Sequence, residues 1–260
     1  MRPARQPLQM VVCDWNGTLF RDRLEETFFF GLCRRAVWRL FRRCNVIGLA
    51  RLAMCGLRCF GHYLVARRRP RQVPYHIGRI MRHLNRDVLR GLSAEELAAY
   101  AARYARRIQP RLDRRLLDPL MAARAESQIM LGVLSSGCRE GIVAALAETG
   151  AECDVVAANT FTMDADVTVA FKFALTDDKH EALAGMLAER NIPPGAVMFI
   201  GDSPQDEHCL CGVGYPVVSF FADDSRKQQL ARDCGAFIPV DQAHFERHLR
   251  EAMGPAAGNP

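Results

Sequence analysis

Over most of this 260-residue chain, short apolar runs that stop at a polar residue alternate with segments whose apolar positions recur every three or four residues. The first kind reads as strands buried on both faces, the second as helices. Leu8 to Cys13 is a run of the first kind and ends at Asp14, with a turn at Gly17-Thr18. Residues 23–124 then change texture. Apolar residues fall at helical spacing, β-branched runs are scarce, and Pro70, Pro74 and Pro110 punctuate the segment. Ser93-Ala-Glu-Glu96 has the form of a helix N-terminus, a capping hydroxyl followed by acids in the first turn. The pattern predicts four or five helices here and no sheet.

Strand-like runs return at Ile129–Leu134, Asp154–Ala158, Val197–Ile200, Tyr215–Phe220 and Gly235–Pro239. Helical segments over Arg139–Thr149, closed by Gly150, and over Asp178–Arg190 lie among them. Strands alternating with helices imply an α/β fold, a parallel sheet with helices on both faces. One strand precedes the helical segment and the others follow it. The chain therefore divides into an α/β core, 1–22 and 125–260, and a helical insert, 23–124. Open parallel sheets bind ligands at the carboxyl ends of their strands. Asp14, Ser135 and Asp202 each stand just past such an end, so three distant segments converge on one crevice.

Charge is divided along the same line. Residues 1–130 carry 26 Lys and Arg against 10 Asp and Glu, whereas 131–260 carry 9 against 19. Between Thr27 and Arg86 there are 14 Arg and no acid. This asymmetry points to two surfaces with different partners. The N-terminus has no apolar run of secretory length, which predicts a cytoplasmic protein, peripheral to a membrane at most. In a reducing compartment the ten Cys read as small buried hydrophobes, and their spacings form no paired CxxC.

Asp14 is suited to hold a hard cation and to attack phosphorus, although a lone Asp at a strand end also serves as a turn former. Asp202 and Asp206, four residues apart in Gly201-Asp-Ser-Pro-Gln-Asp206, can face one cation or can form a capping box. Lys179 opens a helix, where most lysines are solvated. Ser135, Ser136 and Gly137 offer hydroxyls and N–H groups to an oxyanion at a helix start.

Together these residues resemble the haloacid dehalogenase-like superfamily, and within it the phosphoserine-phosphatase-like branch. Asp14-Trp-Asn-Gly-Thr18 is similar to the first family motif and Ser135 to the second. Lys179 is similar to the third, and Asp202 to Asp206 to the fourth. Val155 to Phe161 resembles the segment ahead of the motif lysine. The likeness covers about 8–22 and 127–221. It implies a Rossmann-like core with a helical cap inserted after the first strand. It also implies a phosphatase in which Asp14 forms an aspartyl phosphate. Mg²⁺ would be held by Asp14, the Asn16 carbonyl, Asp202 and Asp206. Lys179 would neutralise charge, and Thr18, Ser135, Ser136, Gly137 and Lys179 would bind the phosphoryl group.

Asn16 departs from the family pattern, which places a second Asp there to protonate the leaving group and activate water. An amide exchanges no proton near neutral pH, and general acid–base help is worth about 10²–10⁴-fold. Branches that lack this Asp fit less well. The phosphonatase type needs a cap lysine, but the chain's lysines are Lys172, Lys179 and Lys227, none in 23–124. The dehalogenase type has an aromatic residue at this position, and P-type ATPases need membrane domains. Three readings stay open: a phosphatase for good leaving groups or with an acid/base from His62, His76 or His83; a phosphotransferase; and a non-catalytic phosphate-binding or membrane-surface protein. The insert mixes arginines with large apolar residues. It suits a solvated basic face, or contact with an anionic membrane surface, or a small phosphorylated substrate that is multiply anionic or lipid-linked. Nucleic acid is disfavoured, because the aromatics form no stacking platform.

Overall fold

The structure, a computed structural model, describes residues 3–21, 25–42, 46–68, 79–80, 82–172 and 179–254. Its strands there are β1 (Met10–Cys13), β2 (Met130–Cys138), β3 (Val155–Asp164), β4 (Val167–Lys172), β5 (Val197–Gly201) and β6 (Tyr215–Val218). Its longer helices are α1 (Glu25–Arg42), α2 (Val46–Arg68), α3 (Ala94–Ile108), α4 (Arg114–Glu126), α5 (Arg139–Glu148), α6 (Lys179–Ala188), α7 (Glu207–Cys211), α8 (Asp224–Cys234) and α9 (Gln242–Met253). The chain forms two compact units. One comprises Met1–Glu25, Ala102–Asn159 and Phe173–Pro260, the other Glu26–Ala101 and Thr160–Lys172.

The first unit holds a parallel sheet in the order β3-β2-β1-β5-β6. All four residues of β1 are buried, which explains the unbroken apolar run. Met10, Val12, Leu134 and Phe199 pack on one face with Leu183 and Leu187 of α6, Leu210 of α7 and Leu230 of α8. Val11, Cys13, Val133 and Ile200, at the alternate positions, are buried as well. The parallel sheet expected from the sequence is thus present, covered on both faces. The run at Gly235–Pro239 forms no strand and makes a single bridge, Phe237 to Val217. Phe237 N–H donates to the Pro216 carbonyl and Val218 N–H to the Phe237 carbonyl, both at 2.9 Å, and the half-buried Phe237 is the one residue of the run that pairs with β6. The cysteine reading is corrected at one pair: Cys211 at the end of α7 and Cys234 at the end of α8 are joined by a disulfide. Sequence spacing gave no sign of it, because only the packing of α7 on α8 brings the two together.

The second unit differs from the all-helical insert expected over 23–124. It stops at Ala101, and it takes up the hairpin made by Thr160–Asp164 of β3 and β4. That hairpin turns through Ala165 and Asp166, both with positive φ (44° and 63°). Thr168 ties it to the segment before α3: its Oγ accepts from Leu92 N–H at 3.0 Å and donates to the Leu89 carbonyl at 2.6 Å. The apolar alternation of β4 is short, and Asp164 and Asp166 interrupt the pattern ahead of it, so periodicity missed this strand pair. The expected cap of α3 is present. Glu96 N–H donates to Ser93 Oγ at 3.0 Å, and Ser93 N–H donates to Glu96 Oε2 at 3.1 Å. Arg39 of α1 closes on the same Glu96 carboxylate at 2.6 Å. Lys172 also belongs to this unit, outside 23–124, and is exposed, without the burial that activates a Schiff-base lysine.

Candidate active site

Every side chain of the site stands in the first unit: Asp14 and Asp202 just past the carboxyl ends of β1 and β5, Ser135 in the last residues of β2, and Lys179 at the start of α6. Asp14 follows β1, and its N–H donates to the Ile200 carbonyl at 2.9 Å, which locks it beside β5. The chain then turns tightly. Gly17 N–H donates to the Phe20 carbonyl at 2.8 Å, and Phe20 N–H to the Trp15 carbonyl at 2.9 Å. Gly17 has φ +72°, and a Cβ there would collide with the Asp202 carboxylate. Glycine therefore serves the turn and makes room for a carboxylate. Thr18, fully buried, donates from Oγ to Asp202 Oδ1 at 3.4 Å.

Lys179 joins the carboxylates. Its ammonium lies 2.8 Å from Asp14 Oδ1 and 2.7 Å from Asp206 Oδ1, in a pocket that leaves it 7% exposed. So this helix-opening lysine is not the solvated kind. Asp14, Asp202 and Asp206 each offer an oxygen, and these oxygens lie within 4.8 Å of one another. Asp206 Oδ2 also accepts from Ser203 Oγ at 2.6 Å, from Ser203 N–H at 3.0 Å and from Asp202 N–H at 3.3 Å. With both oxygens engaged, Asp206 fixes Lys179 and the loop that carries Asp202. The capping-box and carboxylate-cluster readings of Asp202-Asp206 are therefore both correct descriptions of one loop.

Three carboxylates around one ammonium leave the pocket with an excess of negative charge. Burial pushes the Asp14 carboxyl up, and the neighbouring Asp206 adds to this; Lys179 works against both, and the result is about 7. Burial disfavours the Lys179 charge, but Asp14 and Asp206 outweigh it and hold the ammonium well above its usual range. The pocket therefore favours a further cation.

The second-motif residues stand at the end of the adjacent strand. Cys13 pairs with Val133, so Ser135 lies just beyond the level of Asp14. Ser135 is buried, Ser136 exposed and Gly137 half-buried. They do not open a helix as the sequence suggested. The register shifts between Ser135 and Cys138, β2 continues through this bulge, and α5 begins at Arg139. Gly137 N–H donates to Ser135 Oγ at 3.1 Å. Asn159, buried at the end of the parallel part of β3, donates to the Ser136 carbonyl at 2.5 Å and so braces the bulge. Asn16 is half-buried in the turn after Asp14. In the second unit His62 and His83 stack on one another, their centroids 5.5 Å apart. His76 lies outside the described residues.

Ser219 was not singled out by the sequence. It is fully buried, follows β6, and donates from Oγ to the Gly17 carbonyl at 2.7 Å. The signal was there: Ser219 is the first polar residue past a buried run, the same rule that selects Asp14 and Asp202.

Comparison with known proteins agrees with this geometry. The family model of the haloacid dehalogenase-like hydrolases matches residues 11–210. No curated protein matches the sequence. Among solved structures, a probable phosphoserine phosphatase from Vibrio cholerae is 11% identical with TM-score 0.61, over 95% of this chain and 65% of that one. A phosphoserine phosphohydrolase-like protein from Francisella tularensis subsp. tularensis is 12% identical with TM-score 0.57, over 94% and 100%. A protein of unknown function from Bordetella pertussis is 14% identical with TM-score 0.59, over 90% and 98%. At such identities the likeness is one of fold.

Proposed function

This chain belongs to the haloacid dehalogenase-like hydrolases, and on that premise we propose that it is a magnesium-dependent phosphatase that takes the phosphoryl group of a phosphomonoester onto Asp14. One observation carries the reading: a buried lysine bridges the strand-end carboxylate Asp14 and Asp206 at 2.8 and 2.7 Å, with Asp202 in the same cluster. A donor set made entirely of oxygen suits a hard divalent cation. Asp14, Asp202 and the Asn16 carbonyl would hold it, with Asp206 beside them. Bound there, Mg²⁺ supplies the charge neutralisation that lets an anionic nucleophile meet an anionic substrate.

In the first half-reaction an Asp14 carboxylate oxygen bonds to phosphorus as the bond to the ester oxygen breaks. Lys179 neutralises charge on the transferring group. Ser135 Oγ accepts from Gly137 N–H, so its own proton is free to bind a phosphoryl oxygen beside the exposed Ser136; Gly137 gives its N–H to Ser135 and Thr18 its hydroxyl to Asp202, so these two orient the cradle. In the second half-reaction water attacks phosphorus, the bond to Asp14 breaks and phosphate leaves. Asn16 can protonate no leaving group and deprotonate no water. The preferred substrate therefore carries a leaving oxygen stable as an anion. The same residue favours a second reading, a phosphotransferase whose aspartyl phosphate waits for an acceptor other than water.

The test is turnover of a phosphomonoester panel with Mg²⁺ by the native protein and by Asp14→Ala and Asn16→Asp variants. Expected are cleavage of aryl phosphates that Asp14→Ala abolishes, and a gain on alkyl phosphates with Asn16→Asp. If the native protein turns over none and Asn16→Asp gains none, the enzyme reading fails.

A further inference from the structure

The second unit carries two features that the phosphatase reading does not use. The first is the outward face of α2. Helices of globular proteins bury one apolar stripe and expose a polar one, but α2 is apolar on both sides. Cys55 is buried and Leu52 and Cys59 are half-buried on the inward side. On the outward arc Ile47, Met54, Leu57, Phe60 and Leu64 are exposed, Leu57 by 66% and Phe60 by 58%. At 100° per residue these fall on one side of the helix, and Arg51 and Arg58 border it. Trp38 and Phe41, at the end of α1 in the same unit, are exposed too. No residue of Val46–Arg68 is acidic.

The second feature is a cleft of about 480 Å³ in the same unit, lined by Arg39, Arg51, Arg86 and Arg90, with Asp87 the one carboxylate among its described lining residues. Arg39 is paired with Glu96, and Arg86 grips Asp87 through two bonds at 2.8 and 3.0 Å. No carboxylate among the described residues pairs with Arg51 or Arg90. The cleft is therefore rich in cationic donors left for an anion, and guanidinium forks match phosphate oxygens. Ile47 and Arg51 belong both to the cleft wall and to the rim of the apolar arc. An anion site thus borders an apolar surface.

We propose that this unit docks on an anionic membrane surface, the outward face of α2 sinking among the lipids while the arginine cleft takes a lipid phosphate. Charge complementarity selects this occupant. A second copy would set arginine-edged helices against each other with no acid on either. A nucleic acid would match the arginines but leave the apolar arc against water. An interfacial layer offers hydrocarbon and phosphate side by side. No described helix is long and apolar enough to cross a membrane, so α2 lies in the interface. The inference does not depend on catalysis at Asp14.

The experiment is co-sedimentation of the full chain with phosphatidylcholine vesicles, with and without phosphatidylserine, across a salt series. Binding is expected only with phosphatidylserine and should weaken as salt rises. Arg51→Glu with Arg90→Glu should weaken it on the order of tenfold or more, and Leu57→Glu with Phe60→Glu on the order of a hundredfold. All four side chains are solvent-exposed, and far-ultraviolet circular dichroism checks that the variants stay folded. Inorganic phosphate and a soluble glycerophosphate serve as competitors. Competition only at high concentration is expected of a headgroup site assisted by the apolar face. Indifference to lipid charge, or binding retained in both double variants, overturns the proposal. So does tight capture of free phosphate or duplex RNA, or a concentration-dependent dimer, without vesicle binding.

Discussion

Asp14 is held in a pocket that resists its charge. Its carboxyl sits at about 7 against an ordinary 3.8, through burial first and Asp206 next. Between these values the folded protein retains a proton that the unfolded chain has lost, so stability falls as pH rises through that window and levels off above it. With a chelator present, Asp14→Asn should therefore gain more in Tm relative to the native protein at about pH 8 than at about pH 5. An equal difference at both values would contradict the raised carboxyl. Mg²⁺ should raise the native Tm most at the higher pH. Ser219 gives a second prediction. Ser219→Ala takes the hydroxyl from the Gly17 carbonyl, which should cost about 1 kcal/mol in denaturant unfolding and lower kcat more than it changes KM. Asp14, Lys179, Asp202 and Asp206 were legible because each breaks an apolar run or opens a helix in a recognisable order. Ser219 met the same rule but lay inside the run read as Tyr215–Phe220, and Asn159 showed its role only through its hydrogen bond to Ser136.

The elements divide in the same way. β1, β2, β5 and β6 were legible because buried strands read as unbroken apolar runs, and the half-buried start of β3 still carried such a run. The hairpin of β3 and β4 was not, because its stability comes from Thr168 and the neighbouring chain rather than from its own pattern. Its two-residue turn places Ala165 at φ 44°, a conformation that favours Gly or Asn. Ala165→Gly and Ala165→Asn should each stabilise the protein by about 1 kcal/mol, measured as a shift in denaturant midpoint at unchanged m. No shift in either variant would show that the turn carries no strain. The Cys211–Cys234 bond closes 23 residues between the ends of α7 and α8. Mass analysis of alkylated protein should find these two cysteines protected until a reductant is added. Reduction should lower stability by about 3 kcal/mol. Both cysteines open to alkylation in the untreated protein would contradict the pairing.

At the scale of the whole molecule, the charge division of the sequence coincides with a division of labour. The acidic half of the chain supplies Lys179, Asp202 and Asp206, whose excess of carboxylates calls for a cation. The Arg-rich half supplies most of the second unit, for which an anionic lipid surface is the proposed partner. Which segments share a unit was only partly legible: composition located the insert, but the sequence neighbours of β3 concealed that Thr160–Lys172 belongs with it. In the proposed reaction Asp14 accepts a phosphoryl group and, with Asn16 beside it, passes it to water slowly. Rapid mixing of the protein and Mg²⁺ with p-nitrophenyl phosphate, quenched in acid and analysed by peptide mass, tests this directly. A burst of nitrophenol close to stoichiometric with protein is expected, together with a phosphate adduct on the peptide that contains Asp14. No burst and no adduct, in the native protein and in Asn16→Asp alike, would contradict the proposed reaction.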